Sequence, residues 1–200
     1  MATSSRQTVP PAGDDANSIE QADVAIAREA GRYRRHPVVR TMGAISELAD
    51  QPPLIAICAA TLGAGLLTRR PRLALAGARM LSAHLAATAA KTVIKRQVDR
   101  TRPKLLVDEN RYERGAGERY EGDFNSFPSG HTAGAVAVAR AVTRTYPDAA
   151  PAAGLLATMV ALVQIPRCAH YLSDITAGAA IGWAAEAITE RVFEAAGWRT

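Results

Sequence analysis

The hydrophobic pattern divides the chain into a polar start, a series of apolar segments and one long charged interruption. Gln51 to Thr68 is eighteen residues without a charge, just enough to cross a bilayer as a helix. Leu73 to Ile94 is a second apolar segment, interrupted by Arg79, His84 and Lys91. Thr132 to Val142 is a third, short and rich in Ala and Val. Ala149 to Pro166 is a fourth, again eighteen residues without charge, and Ile175 to Ile188 is a fifth carrying Glu186. The second, third and fifth suit a membrane if their polar residues face a bundle interior or snorkel. Upstream, Val39, Met42, Ile45 and Leu48 recur at helical spacing and predict a short interfacial helix over Val38 to Leu48. No strand pattern of useful length and no internal repeat interrupts this reading. The expectation is an all-α, integral-membrane bundle of about five apolar helices; a soluble, Ala-rich bundle is the competing arrangement. Gly130-xxx-Gly134 and Gly178-xxx-Gly182 mark positions where two helices approach closely.

The polar start has its own organisation. Residues 1–17, rich in Ser, Pro, Asp and Ala, predict a disordered tail without the apolar core of a signal peptide. Insertion into a membrane is therefore expected to be driven by the internal helices. Ser18-Ile19-Glu20-Gln21 reads as a capping box opening a helix that runs to about Gly31. Arg28, Arg32, Arg34, Arg35 and Arg40 then form a basic cluster suited to an anionic leaflet or to plain solvent. The expected division is a tail at 1–17, a basic interfacial segment at 18–50, a membrane-embedded domain at 51–193 and a short tail at 194–200. Arg69-Arg70-Pro71-Arg72 would lie on the cytoplasmic side by the positive-inside rule. The N-terminal cluster and the Lys95–Pro128 loop are basic too, so charge alone leaves the topology open.

Composition narrows the partners. The net charge is +5 with a sequence pI near 9.6, and Arg residues are dispersed between apolar segments. That distribution favours membrane flanks and phosphate groups over nucleic acid. The mean hydropathy of −0.05 averages a polar terminus and a charged loop with long apolar runs, so it does not argue against a membrane. Cys58 and Cys168 sit in or beside apolar runs and read as two buried thiols, with no disulfide framework and no metal-type pair.

Three short segments carry the candidate chemistry. In Phe127-Pro128-Ser129-Gly130-His131, Ser129 is placed to cap an apolar helix whose free N–H groups and partial positive charge can hold an anion. His131 lies in the first turn of that helix. In Lys95 to Pro103, Lys95 and Arg102 are seven apart and would share a helical face, one as a point charge and one as a bidentate phosphate ligand. In Arg167 to Asp174, a helix starting at Pro166 would place Arg167, His170 and Asp174 on one face, with Asp174 able to orient the imidazole. The long charged stretch from Lys104 to Phe124 reads as a lid, a headgroup-selecting element or a solvated excursion.

The order Lys-x6-Arg-Pro, Pro-Ser-Gly-His and Arg/His-x3-Asp resembles the type 2 phosphatidic acid phosphatase (PAP2) superfamily. The first two motifs match at every defining position. In the third, the family pattern has an Arg six residues before the His, where this chain has Gln164 and carries Arg167 instead. The resemblance implies a membrane phosphatase that cleaves a phosphomonoester or diphosphate without metal or other cofactor. By it, His170 is the nucleophile that forms a phosphohistidine, Asp174 orients it and His131 protonates the leaving oxygen. Lys95, Arg102, Ser129, the Gly130 backbone and Arg167 would hold the phosphoryl oxygens. The chemistry agrees, because negative charge spread over phosphoryl oxygens calls for clustered cations and donors. The expected substrate is a polyprenyl or glycerolipid phosphate or diphosphate, and the expected location is the cell membrane as a multi-pass protein. Three other readings stand beside it: a vanadium haloperoxidase-like enzyme, a metal site of His131, His170 and Asp174, and a non-catalytic scaffold for anionic lipid.

Overall fold

In the computed structural model, which describes residues 17–117 and 122–198, eight helices account for nearly all regular structure. Helix α1 spans Ser18–Gly31, α2 Pro37–Ser46, α3 Gln51–Leu67 and α4 Pro71–Lys95. Helix α5 spans Pro103–Glu109, α6 Gly130–Thr145, α7 Ala150–Val163 and α8 Leu172–Ala195. Between α4 and α6 the chain forms a small antiparallel ribbon, β1 (Val98–Arg100) on β2 (Arg114–Ala116), three residues each. Strands this short leave no alternation to read, so the hydrophobic pattern does not show them. The tail expected before residue 17 lies outside the described residues, as do 118–121 of the charged stretch and the last two residues.

Local chemistry sets the helix limits. The capping box falls one residue earlier than its sequence reading: Asn17 is the N-cap of α1, its side chain accepting from Glu20 N, and Glu20 answers to the Asn17 N–H. Asn caps as well as Ser, and the box needs an acid or Gln at the third helical position, which Glu20 supplies from Asn17. Proline opens α2, α3, α4, α5 and α7 in their first turns, where its missing N–H costs nothing. A one-turn 3₁₀ segment, Glu47–Ala49, joins α2 to α3 across a bend of 58°.

Helices α4, α6 and α8 pack against one another at the centre, with α3 laid along α4 and α7 along α6. Their shared core is largely alanine: Ala83, Ala87, Ala133, Ala137, Ala141 and Ala185, around Leu54, Cys58 and Met80. Small side chains let backbones approach, and α8 exploits this most. A Cβ at Gly178 would lie 2.5 Å from the Ser129 carbonyl oxygen, and one at Gly182 would lie 2.4 Å from that of Ala133. The second of the two small-residue pairs read from the sequence is thus the α6–α8 contact.

Helix α4 is long and apolar enough to cross a membrane, and the bent pair α2–α3 meets the same criterion when taken together. Leu66, Leu67, Leu155, Leu156, Ile188 and Val192 are exposed on the outside of the bundle, a surface suited to hydrocarbon rather than water. Several charges on these helices turn inward. Arg79, 2% exposed, donates to Glu190 at 2.9 Å, and buried Glu186 accepts from Arg140 at 2.8 Å and Arg144 at 2.9 Å. Pairing of this kind is what allows α4 and α8 to be apolar outside and ionic inside.

The α6–α8 contact gives a direct test. Gly178→Ala is expected to lower stability by about 1–3 kcal/mol, because the added methyl collides with backbone. Gly154→Ala, whose methyl would meet nothing within 4 Å, should show no loss. Thermal unfolding of the two variants in detergent separates them.

Candidate active site

The loop entering α6 organises the site with backbone carbonyls. Residues 122–126 run beside β1, where Ser126 N donates to Arg100 O at 3.0 Å and Arg102 N to Asp123 O at 2.8 Å. The carbonyls of this strap then receive three of the residues singled out in the sequence. Lys95 Nζ donates to Asn125 O at 2.6 Å, Arg102 Nε to Gly122 O at 2.7 Å, and His170 Nδ1 lies 2.7 Å from Ser126 O. Lys95 and Arg102 do not share a helical face as expected. Lys95 ends α4, and Arg102 follows β1 in extended conformation as the N-cap of α5. The ribbon and Pro103 break the helix between them, and the strap brings them back together.

A carbonyl oxygen only accepts, so the Ser126 contact places the proton of His170 on Nδ1 and leaves the Nε2 lone pair free. The Asp174 carboxylate stands farther off, with Oδ2 at 3.8 Å from Nδ1. His170 is 2% exposed. Burial pushes the imidazole down to about 4, against the upward pull of Asp174 and with the charges of Arg102 and Lys95 acting in the same sense as burial.

The helix expected from Pro166 through Asp174 is replaced by a turn. Helix α7 stops at Val163, Cys168 adopts a left-handed conformation with φ 59°, and α8 begins only at Leu172. The N–H groups of Ala169 and His170 both donate to Gln164 O, at 3.0 and 3.2 Å, which fixes the turn. Asp174 sits in the first turn of α8, where Oδ2 accepts from Tyr171 N at 2.8 Å. Its backbone oxygen accepts from Ser129 N at 3.0 Å, tying the two helix starts to each other.

Ser129 caps α6 and is fully buried. Its Oγ accepts from the Thr132 hydroxyl at 3.0 Å and from Thr132 N at 3.4 Å, so its own proton is free for another acceptor. Lys91, one turn before Lys95, reaches the same helix start: a Cβ at Gly130 would lie 3.0 Å from Lys91 Nζ. His131 faces the 3₁₀ segment, with Nε2 at 3.8 Å from Glu47 Oε2 and within electrostatic range of Arg102 and Arg167. Arg167 pairs with Glu47 and donates to Ser46 Oγ at 2.7 Å. Gln164, at the family arginine position, is buried and donates to the same Ser46 Oγ at 3.2 Å. One ligand atom each from Glu47, Asp50 and His131 falls within 4.8 Å of the others, the grouping among the described residues with metal-like spacing. Arg167 already occupies Glu47, and the surrounding cations oppose a metal ion there.

Two residues outside the sequence reading complete the arrangement. Arg100 donates to Asp174 Oδ1 and Ser173 Oγ, both at 2.7 Å, and to Asp23 Oδ2 at 2.8 Å, with its guanidinium 4.2 Å from the Tyr171 ring centre. Asp23 on α1 also accepts from Ser173 N at 2.9 Å and from the Ser173 hydroxyl. The N-terminal helix thereby reaches the base of Asp174. Asp23 lies on the face of α1 that also buries Val24 and Ala27.

The family model for the PAP2 superfamily matches residues 76–198. No curated protein sequence matches the chain. Among solved structures, the fold is similar to a transmembrane PAP2-type phosphatidylglycerolphosphate phosphatase from Bacillus subtilis, at 23% identity and TM-score 0.69, covering 90% of this chain and 88% of the other. It is also similar to LpxE from Aquifex aeolicus, at 18% identity and TM-score 0.65, covering 85% of this chain and 95% of the other.

Two outcomes follow from this geometry. Asp23→Ala leaves the buried Arg100 short of one carboxylate and should cost about 3 kcal/mol, whereas Asp23→Asn, which keeps acceptor oxygen, should cost less. Denaturant or thermal unfolding compares them. Burial lowers the affinity of His170 for a second proton, so its ring stays neutral until the pH falls to about 4. In ¹⁵N NMR of the histidine-labelled protein, Nε2 of His170 should keep the shift of an unprotonated nitrogen down to about pH 5. Titration centred on the ordinary histidine value would contradict this environment.

Proposed function

Because the chain belongs to the PAP2 superfamily and is a phosphatase of that type, we propose that it hydrolyses a lipid phosphate or diphosphate through a phosphohistidine on His170. The observation that carries this reading is the 2.7 Å contact of buried His170 Nδ1 with Ser126 O, which assigns the ring proton to Nδ1 and leaves Nε2 a lone pair, in a setting to which Lys95 and Arg102 add positive charge. Nε2 forms the bond to phosphorus as the bond from phosphorus to the lipid oxygen breaks, and His131 gives that oxygen its proton. Water then attacks the phosphohistidine, His131 takes a proton from it, and the N–P bond breaks to release phosphate and restore the ring.

Lys95 and Arg102 hold the phosphoryl oxygens as cations. The Ser129 hydroxyl and the Gly130 N–H add neutral donors at the start of α6, and Arg167 adds charge from the side of His131. Asp174 fixes the turn that carries the nucleophile. The substrate is a polyprenyl or glycerolipid phosphate or diphosphate, held in the cell membrane by a multi-pass bundle. Support for the lipid comes from the exposed apolar surface and from the Bacillus subtilis neighbour, which is named for a glycerolipid phosphate.

Phosphate release from a panel of lipid phosphates by the detergent-purified protein tests the reading. Release is expected to persist in EDTA, to vanish in His170→Ala and to fall by about 10²–10⁴ in His131→Ala. Absence of release from every lipid, or release unaffected by either substitution, would remove it.

A further inference from the structure

Arg72, Arg79, Lys91 and Lys95 are the cations of α4, and all but Lys91 have a named acceptor. Arg72 donates to Thr145 O at 2.7 Å, Arg79 to Glu190 at 2.9 Å and Lys95 to Asn125 O at 2.6 Å. Lys91 is half-buried, and among the described residues it has neither a hydrogen bond nor a carboxylate within ion-pair distance. Asp50, the acid that acts on it, does so from beyond that distance. Its Nζ lies instead against the start of α6, 3.0 Å from where a Cβ at Gly130 would stand. Lys91 and Lys95 are four residues apart on one face of α4, and their like charges repel. Two cations held side by side with no carboxylate on either create a positive potential that attracts an anion.

The two lysines sit at different levels. Lys95 ends α4 beside the strap, and its charge acts on His170 together with that of Arg102. Lys91 stands one turn, about 6 Å, further into the bundle, against the residue that precedes His131. The nucleophile and the general acid thus each have a lysine on their own side. We propose that Lys91 binds the chain-bearing phosphate of a lipid diphosphate, which makes a diphosphate rather than a monophosphate the preferred substrate. The inference rests on the phosphatase reading and adds to it one residue and a choice between two substrate classes. The terminal phosphoryl group lies among Lys95, Arg102 and His170, and the inner one beside Lys91 and the Gly130 N–H, on the side of the bundle interior. Nε2 of His170 bonds to the terminal phosphorus as the bond from that phosphorus to the bridging oxygen breaks. The electron pair leaves with the lipid monophosphate, and the bridging oxygen takes the His131 proton. That leaving group is an anion, so an ammonium beside it stabilises the charge as it develops. The alcohol released from a monophosphate is neutral once protonated and gains less from Lys91.

The full-length protein in detergent provides the test, with farnesyl diphosphate and farnesyl monophosphate as substrates that share one chain. Wild type should favour the diphosphate in kcat/KM, and Lys91→Gln should lower the ratio of diphosphate to monophosphate by about tenfold or more. Lys91→Arg keeps the charge and should restore most of the ratio. Monophosphate turnover reports whether each variant is folded. A wild type that favours the monophosphate, or a ratio that Lys91→Gln leaves in place because both substrates lose equally or not at all, overturns the proposal. Binding is measured in parallel by calorimetry with methylenediphosphonate and methylphosphonate, neither of which can be hydrolysed at the bridge. Methylenediphosphonate should bind wild type more tightly, and Lys91→Gln should remove most of that advantage. An advantage that survives the substitution also overturns the proposal. Failure of the phosphatase reading looks different, because neither farnesyl substrate would then release phosphate while the binding comparison still decides the role of Lys91.

Discussion

The site depends on holding cations in place without neutralising them. Lys95 and Arg102 are anchored by carbonyl oxygens of the 122–126 strap, and among the described residues neither has a carboxylate within ion-pair distance. A carbonyl satisfies the donor's geometry but carries no net charge, so the positive potential stays available to an incoming anion. Arg100 is the contrast. It is enclosed by two carboxylates and two aromatic rings, and its charge is spent inside the protein. Arginines close together in sequence thus do opposite work, and what separates them is the charge of the acceptor.

The same strap sets the protonation of His170. An imidazole whose Nδ1 proton faced a close carboxylate would gain basicity, while a carbonyl acceptor leaves it weakly basic and neutral. A neutral ring suits attack on an anion among cations, because a protonated ring has no lone pair to offer. Asp174 then acts as a tie, through its carboxylate and its backbone carbonyl together. It accepts from Tyr171 N, its carbonyl receives Ser129 N, and Arg100 balances its charge. Both motifs that flank α6 and α8 are locked to one another by that single residue.

What was legible in the sequence follows from the range of the interaction involved. The apolar segments, the Ser129 cap and the glycines at 178 and 182 depend on neighbours three or four residues away or on side-chain size, and the pattern shows them. The joint approach of Lys95, Arg102 and His170 was legible only as a set of motifs. The helical faces expected to align them do not exist, since the β1–β2 ribbon intervenes in one case and the left-handed Cys168 in the other. Asp23 and Ser126 were not legible. They meet Arg100 and His170 across 77 and 44 residues, and Ser126 contributes a backbone oxygen that any residue possesses.

Gln164 shows how the third motif departs from the family pattern without leaving a hole. Its backbone oxygen takes the N–H groups of Ala169 and His170, a task independent of side chain, so the turn that carries His170 is preserved. Its side chain donates to Ser46, and Arg167, one turn later, donates to the same oxygen. A cation is therefore present in this corner, but it comes from a different backbone position and shares its charge with Glu47. Glu47 is half exposed and belongs to the bend between α2 and α3, so the charge delivered by Arg167 depends on how that bend sits. In this chain the α2–α3 bend, rather than the third motif alone, sets where the charge of Arg167 lies.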